Sequence, residues 1–196
     1  MLVLGVTGSL AMGKSTVSAM FAELGAAVWN ADSAVHALYA GAAAEPIGAA
    51  FPGTLRNGTV DRAALGARVT GDAAALAKLE AIVHPLVQAA EIEFRARVAA
   101  SGRRMIVLDV PLLLETGGER RVDAVVVASA GAEIQRARIA KRGMEPARAA
   151  ALIARQMSDA DKRRRAHFVV DTSGDMATAR RQVSDVLRAL AGKVGA

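Results

Sequence analysis

Gly8-Ser9-Leu10-Ala11-Met12-Gly13-Lys14-Ser15 fits the pattern G-x-x-x-x-G-K-[ST] in full. Glycines let such a loop wrap so that its backbone N–H groups point inward at phosphate oxygens. A helix that follows adds its positive N-terminus to the same anion. Lys14 is expected to reach the β- and γ-phosphates of a nucleotide, and the Ser15 hydroxyl to bind Mg²⁺. The expected nucleotide contacts are Gly8, Ala11, Met12, Gly13, Lys14, Ser15 and Thr16. Leu10-Ala11-Met12 fill the loop with side chains, but its backbone keeps its donors.

Two carboxylates complete this chemistry. Asp32 follows a short apolar run; it is a candidate to orient an acceptor hydroxyl and take its proton, or else it caps the next helix. Asp109 follows another apolar run, the usual place of a carboxylate that holds Mg²⁺ through water, although a turn residue before Pro111 would read the same way. Between 136 and 165 lie ten Arg and Lys residues with few acidic partners. Arg136 and Arg142 are candidates to cover ATP phosphates when a lid closes; the rest are expected to form a solvated helical face. His36, His84 and His167 are scattered and there is no cysteine, so no metal cluster is expected. His84 either contacts an acidic substrate or caps a helix.

These residues need elements to position them. Leu2–Thr7 reads as a buried strand and Lys14–Leu24 as a helix stopped at Gly25, followed by a strand over Ala26–Trp29. Strand, loop, helix and strand in about thirty residues make a βαβ unit. The stretch 33–100 is Ala-rich, helical in pattern and punctuated by Pro46, Pro52-Gly53 and Asn57-Gly58, with no convincing strand. Further strands are expected at Arg104–Leu108, Val122–Ala128 and Phe168–Val170, with helices over Ala132–Arg142, Glu145–Arg165 and Met176–Leu190. The alternation predicts a parallel sheet covered on both faces. Ligands on such sheets bind beyond the carboxyl ends of the strands, where Gly8–Thr16, Asp32 and Asp109 fall.

Composition narrows the alternatives. A hydrophobic share of 53% supports a sizeable core, and with aromatics at 3% Ala and aliphatic side chains must build it. The absence of cysteine excludes disulfides, thiolate metal sites and Cys nucleophiles. Met1–Thr7 is apolar but runs straight into the Gly-rich loop, and Met105–Leu114 is broken by Asp109 and Pro111. No targeting segment and no membrane span are therefore expected, and a cytoplasmic location is. The net charge of +6 suits a small polyanion or nucleic acid, and the scarcity of stacking aromatics argues against the latter.

The motifs together resemble dephospho-CoA kinase. The resemblance rests on Val6-Thr7-Gly8 through Thr16, Ala31-Asp32, Asp61-Arg62, and Leu79-Glu80-Ala81-Ile82-Val83-His84-Pro85. It continues through Leu108-Asp109-Val110-Pro111-Leu112-Leu113-Leu114-Glu115, Arg142 with Gln156, and Phe168-Val169-Val170-Asp171. It implies a three-layer P-loop NTPase fold, with a five-stranded parallel sheet flanked by helices. In one domain over 1–196, it implies a core at 1–29, 101–137 and 166–196, a helical substrate-binding insertion at 30–100 and a lid at 138–165. It implies ATP and Mg²⁺ as cofactors and phosphorylation of dephospho-CoA to CoA. Lys14, Asp32 and Arg142 would be catalytic. Asp32, Arg62, His84, Pro111 and Glu115 would lie on the substrate side, and Ser15 and Asp109 would bind the metal. The chain departs from the family pattern at Asn30, where Asp is usual and which cannot serve as a base, at Ala11-Met12, and at His167 and Thr172 near the expected adenine side. Another P-loop metabolite kinase, or a nucleotide-dependent switch acting on nucleic acid, are the alternatives. A monomer acting on small molecules is expected.

Overall fold

In a computed structural model describing residues 1–194, a five-stranded sheet runs in the order β2-β5-β1-β6-β7. Its strands are β1 (Leu2–Thr7), β2 (Ala27–Asn30), β5 (Met105–Asp109), β6 (Ala124–Ser129) and β7 (Phe168–Asp171). The register pairs Val6 with Asp109 and with Val126, and Ser129 with Asp171, all in parallel. The carboxyl ends of β1, β5, β6 and β7 therefore lie side by side. The β1 strand is central and buried throughout, which is why it reads as an unbroken apolar run.

Alternation along β6 divides the two faces of the sheet. Val126 and Ala128 join Leu4, Val6, Val107 and Val170 beneath α1 (Lys14–Glu23) and α9 (Met176–Val194). Val125 and Val127 face the other way, onto Leu113, Leu114, Met157 and Ala166. Helices α6 (Ala132–Lys141), α7 (Pro146–Ala154) and α8 (Asp159–Arg165) complete this part of the chain, with a 3-10 turn at Gly118–Arg121. The single helix expected over Glu145–Arg165 is thus two. Glu145 and Ser158 each accept backbone N–H bonds as N-caps, and the second cap starts a new helix.

The chain divides into two compact units, Met1–Trp29 with Val98–Ala196 and Asn30–Arg97. The second contains α2 (Ala31–Tyr39), α3 (Ala44–Ala50), α4 (Arg62–Val69) and most of α5 (Ala73–Ala100). Its core gathers Ile47, Phe51, Val60, Leu65, Leu79 and Val83. No strand was expected here, but β3 (Leu55–Arg56) and β4 (Thr59–Val60) form a short antiparallel hairpin. Asn57-Gly58 turns it with positive φ at both residues, the geometry that two-residue hairpins favour. Strands of two residues carry no periodicity, so only the turn was visible in the sequence. Pro85 lies inside α5 without ending it.

Candidate active site

The loop between β1 and α1 is built to leave donors free. Gly8 passes so close to β6 that a Cβ would lie 2.6 Å from the Ala128 carbonyl oxygen. Ala11 and Gly13 take the left-handed conformation, at φ 61° and 87°, which Gly adopts freely and which costs Ala about 1 kcal/mol through its Cβ. The first helical hydrogen bond of α1 runs from Val17 N–H to Gly13 O at 3.1 Å. The N–H groups of Lys14, Ser15 and Thr16 therefore have no helical partner, and among the described residues those of Ala11 and Gly13 have none either. The Met12 N–H differs, since it donates to Ser9 O at 3.1 Å. Leu10 and Ala11 pack against Ile139, Met144, Ala149 and Ile153. The apolar side chains in the loop thus anchor its outer side to α6 and α7.

Lys14 Nζ donates to Asp109 Oδ1, with the two side chains 12% and 2% exposed. A charge pair this far from water needs its partner, because an isolated buried carboxylate is strongly disfavoured. Ser15 is exposed at the start of α1. No group of three His, Cys, Asp or Glu residues among those described could hold a metal. Mg²⁺ commonly takes only one or two protein oxygens, with phosphates and waters completing the shell. The Ser15 hydroxyl and the Asp109 carboxylate fit that donor set.

The basic segment is more committed than its sequence suggests. Arg138 donates to Thr172 Oγ1 at 3.0 Å. Lys162, 0% exposed, pairs with Glu115 Oε1 at 2.8 Å, and that oxygen also accepts Met157 N–H at 2.8 Å. Glu115 Oε2 is buried without a partner. Arg163 reaches Ser129 Oγ, Arg164 pairs with Asp161, and Arg165 with Glu119. The Pro111 carbonyl accepts from Thr7 Oγ1 at 3.0 Å. Arg142, at the C-cap of α6, is exposed with no partner among the described residues, and exposed Arg136 has only Glu133 at 3.8 Å.

In the second unit, Asn30 Oδ1 caps α2 by accepting from Ser33 N–H at 2.8 Å. That leaves Asp32 exposed in the first turn, with no partner among the described residues. The alternative of Asp32 as a cap is thereby removed, and Asn30 is the residue that caps. Arg62 Nη1 donates to His36 Nε2 at 3.0 Å, which requires the lone pair of a neutral imidazole. Burial pushes the Tyr39 phenol up, with the Arg62 guanidinium pulling the other way. Asp61 caps α4 through Ala63 and Ala64 N–H and pairs with Arg56. His84 is exposed on α5 and caps nothing. Lys14, Ser15 and Asp109 are brought together in the first unit, while Asp32, Arg62 and His84 belong to the second.

A sequence model of the family described as dephospho-CoA kinase matches residues 2–178. The chain belongs to the dephospho-CoA kinase family. The Mesorhizobium japonicum dephospho-CoA kinase is 53% identical over 196 residues, covering all of both chains. A crystal structure from Thermus thermophilus superposes with a TM-score of 0.85 at 31% identity, covering 96% of this chain and 97% of that one. Dephospho-CoA kinase from Campylobacter jejuni gives 0.72 at 25% identity, covering 97% and 98%.

Several residues around the loop escaped the sequence analysis as participants. Gln135 Nε2 donates to Leu10 O at 2.8 Å, and Gln156 Oε1 accepts Leu10 N–H at 2.9 Å. Thr172 Oγ1 donates to Met12 O at 2.8 Å. Gln156 was visible only as part of the family pattern, Thr172 only as a departure from it, and Gln135 carried no signal. His167, the other departure, accepts Val125 N–H on Nδ1 at 3.1 Å and so extends the pairing of β6 with β7.

Proposed function

We propose that the chain transfers the γ-phosphate of ATP to the ribose 3′-hydroxyl of dephospho-CoA, releasing ADP and CoA in the last step of coenzyme A synthesis. The observation that carries this is the end-to-end match to dephospho-CoA kinase, at 53% identity. The open amides of the phosphate loop supply a place for the ATP phosphates, with Ala11, Gly13, Lys14, Ser15 and Thr16 donating. Gly8 admits the close turn, and Met12 shapes the loop rather than donating, since its N–H is already bonded.

Asp32 accepts the 3′-hydroxyl proton as the new O–P bond forms and the bond between the γ-phosphorus and the bridging oxygen of ADP breaks. An exposed, uncapping carboxylate at a helix start suits this role, being uncommitted. Lys14 turns from Asp109 toward the β- and γ-phosphates and stabilises the charge that spreads over the transferring group. Ser15 and Asp109 would hold Mg²⁺, which neutralises phosphate charge when bound. Arg142, in a lid over 138–165, and Arg136 just before it, both exposed, cover the phosphates and help exclude water.

The Asn30–Arg97 unit receives the acceptor. Arg62 and His84 bind its phosphate groups, and Arg62 is held ready by His36. Pro111 and Glu115 border the same substrate, Glu115 having Oε2 uncommitted. No helix among the described residues is long and apolar enough to cross a membrane. We place the enzyme in the cytoplasm as a monomer with small-molecule partners and no nucleic acid.

A coupled ADP-release assay tests this directly. Turnover should appear with dephospho-CoA, require Mg²⁺, and be absent with adenylates or shikimate. Phosphorylation of those acceptors but not of dephospho-CoA would overturn it. Elution at twice the chain mass would correct the monomer.

A further inference from the structure

Of the peptide planes in the phosphate loop that are gripped from outside it, two carry an N–H with no partner among the described residues. In a planar trans peptide the carbonyl of one residue and the N–H of the next point in opposite directions. Gln135 Nε2 holds the Leu10 carbonyl at 2.8 Å, so the Ala11 N–H is turned the other way. Thr172 Oγ1 holds the Met12 carbonyl at 2.8 Å, which turns out the Gly13 N–H. Neither amide has a partner among the described residues. Thr172 is buried, and its hydroxyl also lies 3.2 Å from Ser129 O. The contact to Met12 O, at 2.8 Å, is the shorter of the two. Arg138 donates to the same hydroxyl at 3.0 Å, which occupies a lone pair and leaves the O–H free to donate to a carbonyl. Thr172 also crowds Gly13, where a Cβ would lie 2.9 Å from its Oγ1.

We propose that Gln135 and Thr172 are positioning residues for phosphate binding: each grips a carbonyl on the outer side of the loop and so aims one amide, Ala11 or Gly13, at the nucleotide. The inference rests on the proposed use of this loop for ATP. An amide already aimed costs no reorientation when the anion arrives. A loop whose planes rotate must lose that freedom on binding and makes fewer aligned donors meanwhile.

The test is ADP affinity by calorimetry, together with KM for each substrate, on the full chain. Thr172→Val keeps the shape of the side chain and removes the hydroxyl. It should weaken ADP binding about 2- to 10-fold, the range for a lost hydrogen bond. KM for dephospho-CoA should stay within about twofold, because no acceptor contact is touched. Thr172→Ser should restore binding. Gln135→Met should act in the same direction, and Gln135→Glu more strongly, because a carboxylate cannot donate to Leu10 O. Gln135 is only half-buried, so its variants test the idea even if Thr172→Val folds poorly. Wild-type affinity in both Thr172→Val and Gln135→Met, or equal losses for both substrates, would overturn the inference while leaving the kinase reading intact. A wild-type chain that failed to bind ADP would overturn both.

Discussion

Leu10 and Met12 are held by side chains from three other stretches of the chain, at Gln135, Gln156 and Thr172. Asp32 and His84 stand exposed without partners among the described residues, and exposed Arg62 has His36 as its hydrogen-bond partner. The two halves of the proposed reaction are thus prepared differently. Phosphate binding draws on backbone dipoles, which act only if their directions are fixed beforehand. Acceptor binding draws on flexible charged side chains, which can find a phosphate or a hydroxyl as it arrives. The first demand is met by packing and by hydrogen bonds from side chains that include the Arg138 guanidinium at Thr172 and Ala11, and the second by leaving charges free.

Lys14→Ala attacks the prepared half where the effect should be largest. The variant loses the cation that meets the β- and γ-phosphates and leaves Asp109 facing them, so kcat/KM should fall by about 10⁴-fold. It should also destabilise the fold, because Asp109 becomes a buried carboxylate without its ammonium. Activity within tenfold of wild type in a steady-state assay would mean that the loop amides suffice alone.

Asp32→Asn attacks the free half. It should lower kcat by about 10³-fold through loss of the base, with ADP affinity and thermal stability almost unchanged, since the side chain caps nothing. A large loss of ADP affinity would show that the two halves are less separate than the comparison holds. Nearly full activity would assign the proton to another group.

Parts of this contrast were legible in the sequence and parts were not. The phosphate loop, the parallel sheet and the strand-end carboxylate Asp109 followed from spacing and apolar runs, because a buried strand and a Gly-Lys-Ser turn each leave a local mark. Asn30 as the cap of α2, next to Asp32, could not be decided, since both residue types cap helices. The grip of Gln135 and Thr172 on the loop spans 125 and 160 residues, and no local pattern encodes a pairing at that distance. The Leu10-Ala11-Met12 run looked unusual for such a loop, and packing against α6 and α7 accounts for Leu10 and Ala11.

Lys162→Met asks whether Glu115 belongs with the fixed half or the free one. Lys162 is 0% exposed and its partner 15%, so removal of the ammonium leaves Glu115 largely buried and lowers stability by about 3 kcal/mol. Adding Glu115→Gln should recover much of this, because an amide oxygen can still accept Met157 N–H. Chemical denaturation measures both. If the double variant regains stability but shows a raised KM for dephospho-CoA, Glu115 serves the substrate as well as the fold. A KM that stays at the wild-type value would make it structural only.

The smallest expected effect concerns pH. The Asp61 carboxylate caps α4 in the Asn30–Arg97 unit and is held below the usual carboxylate range, first by Ala64 N–H and then by Arg56 and Ala63 N–H. A carboxyl group depressed on folding binds fewer protons in the folded state, so its contribution is present above the unfolded value near pH 4. It is lost as pH falls through the lower folded value. Asp61→Asn keeps an oxygen that can cap the helix but removes the charge. Melting curves of the two proteins should therefore differ slightly at pH 6 and converge as pH falls toward 3. The phosphate-loop grip of Gln135 and Thr172 involves no titrating group. Thr172→Val should therefore keep a constant offset from wild type over the same range. A constant gap for Asp61→Asn would mean that its oxygen, and not its charge, holds α4, and the Asn30–Arg97 unit would then rely on neutral hydrogen bonds at that cap, much as the phosphate loop does at Leu10 and Met12.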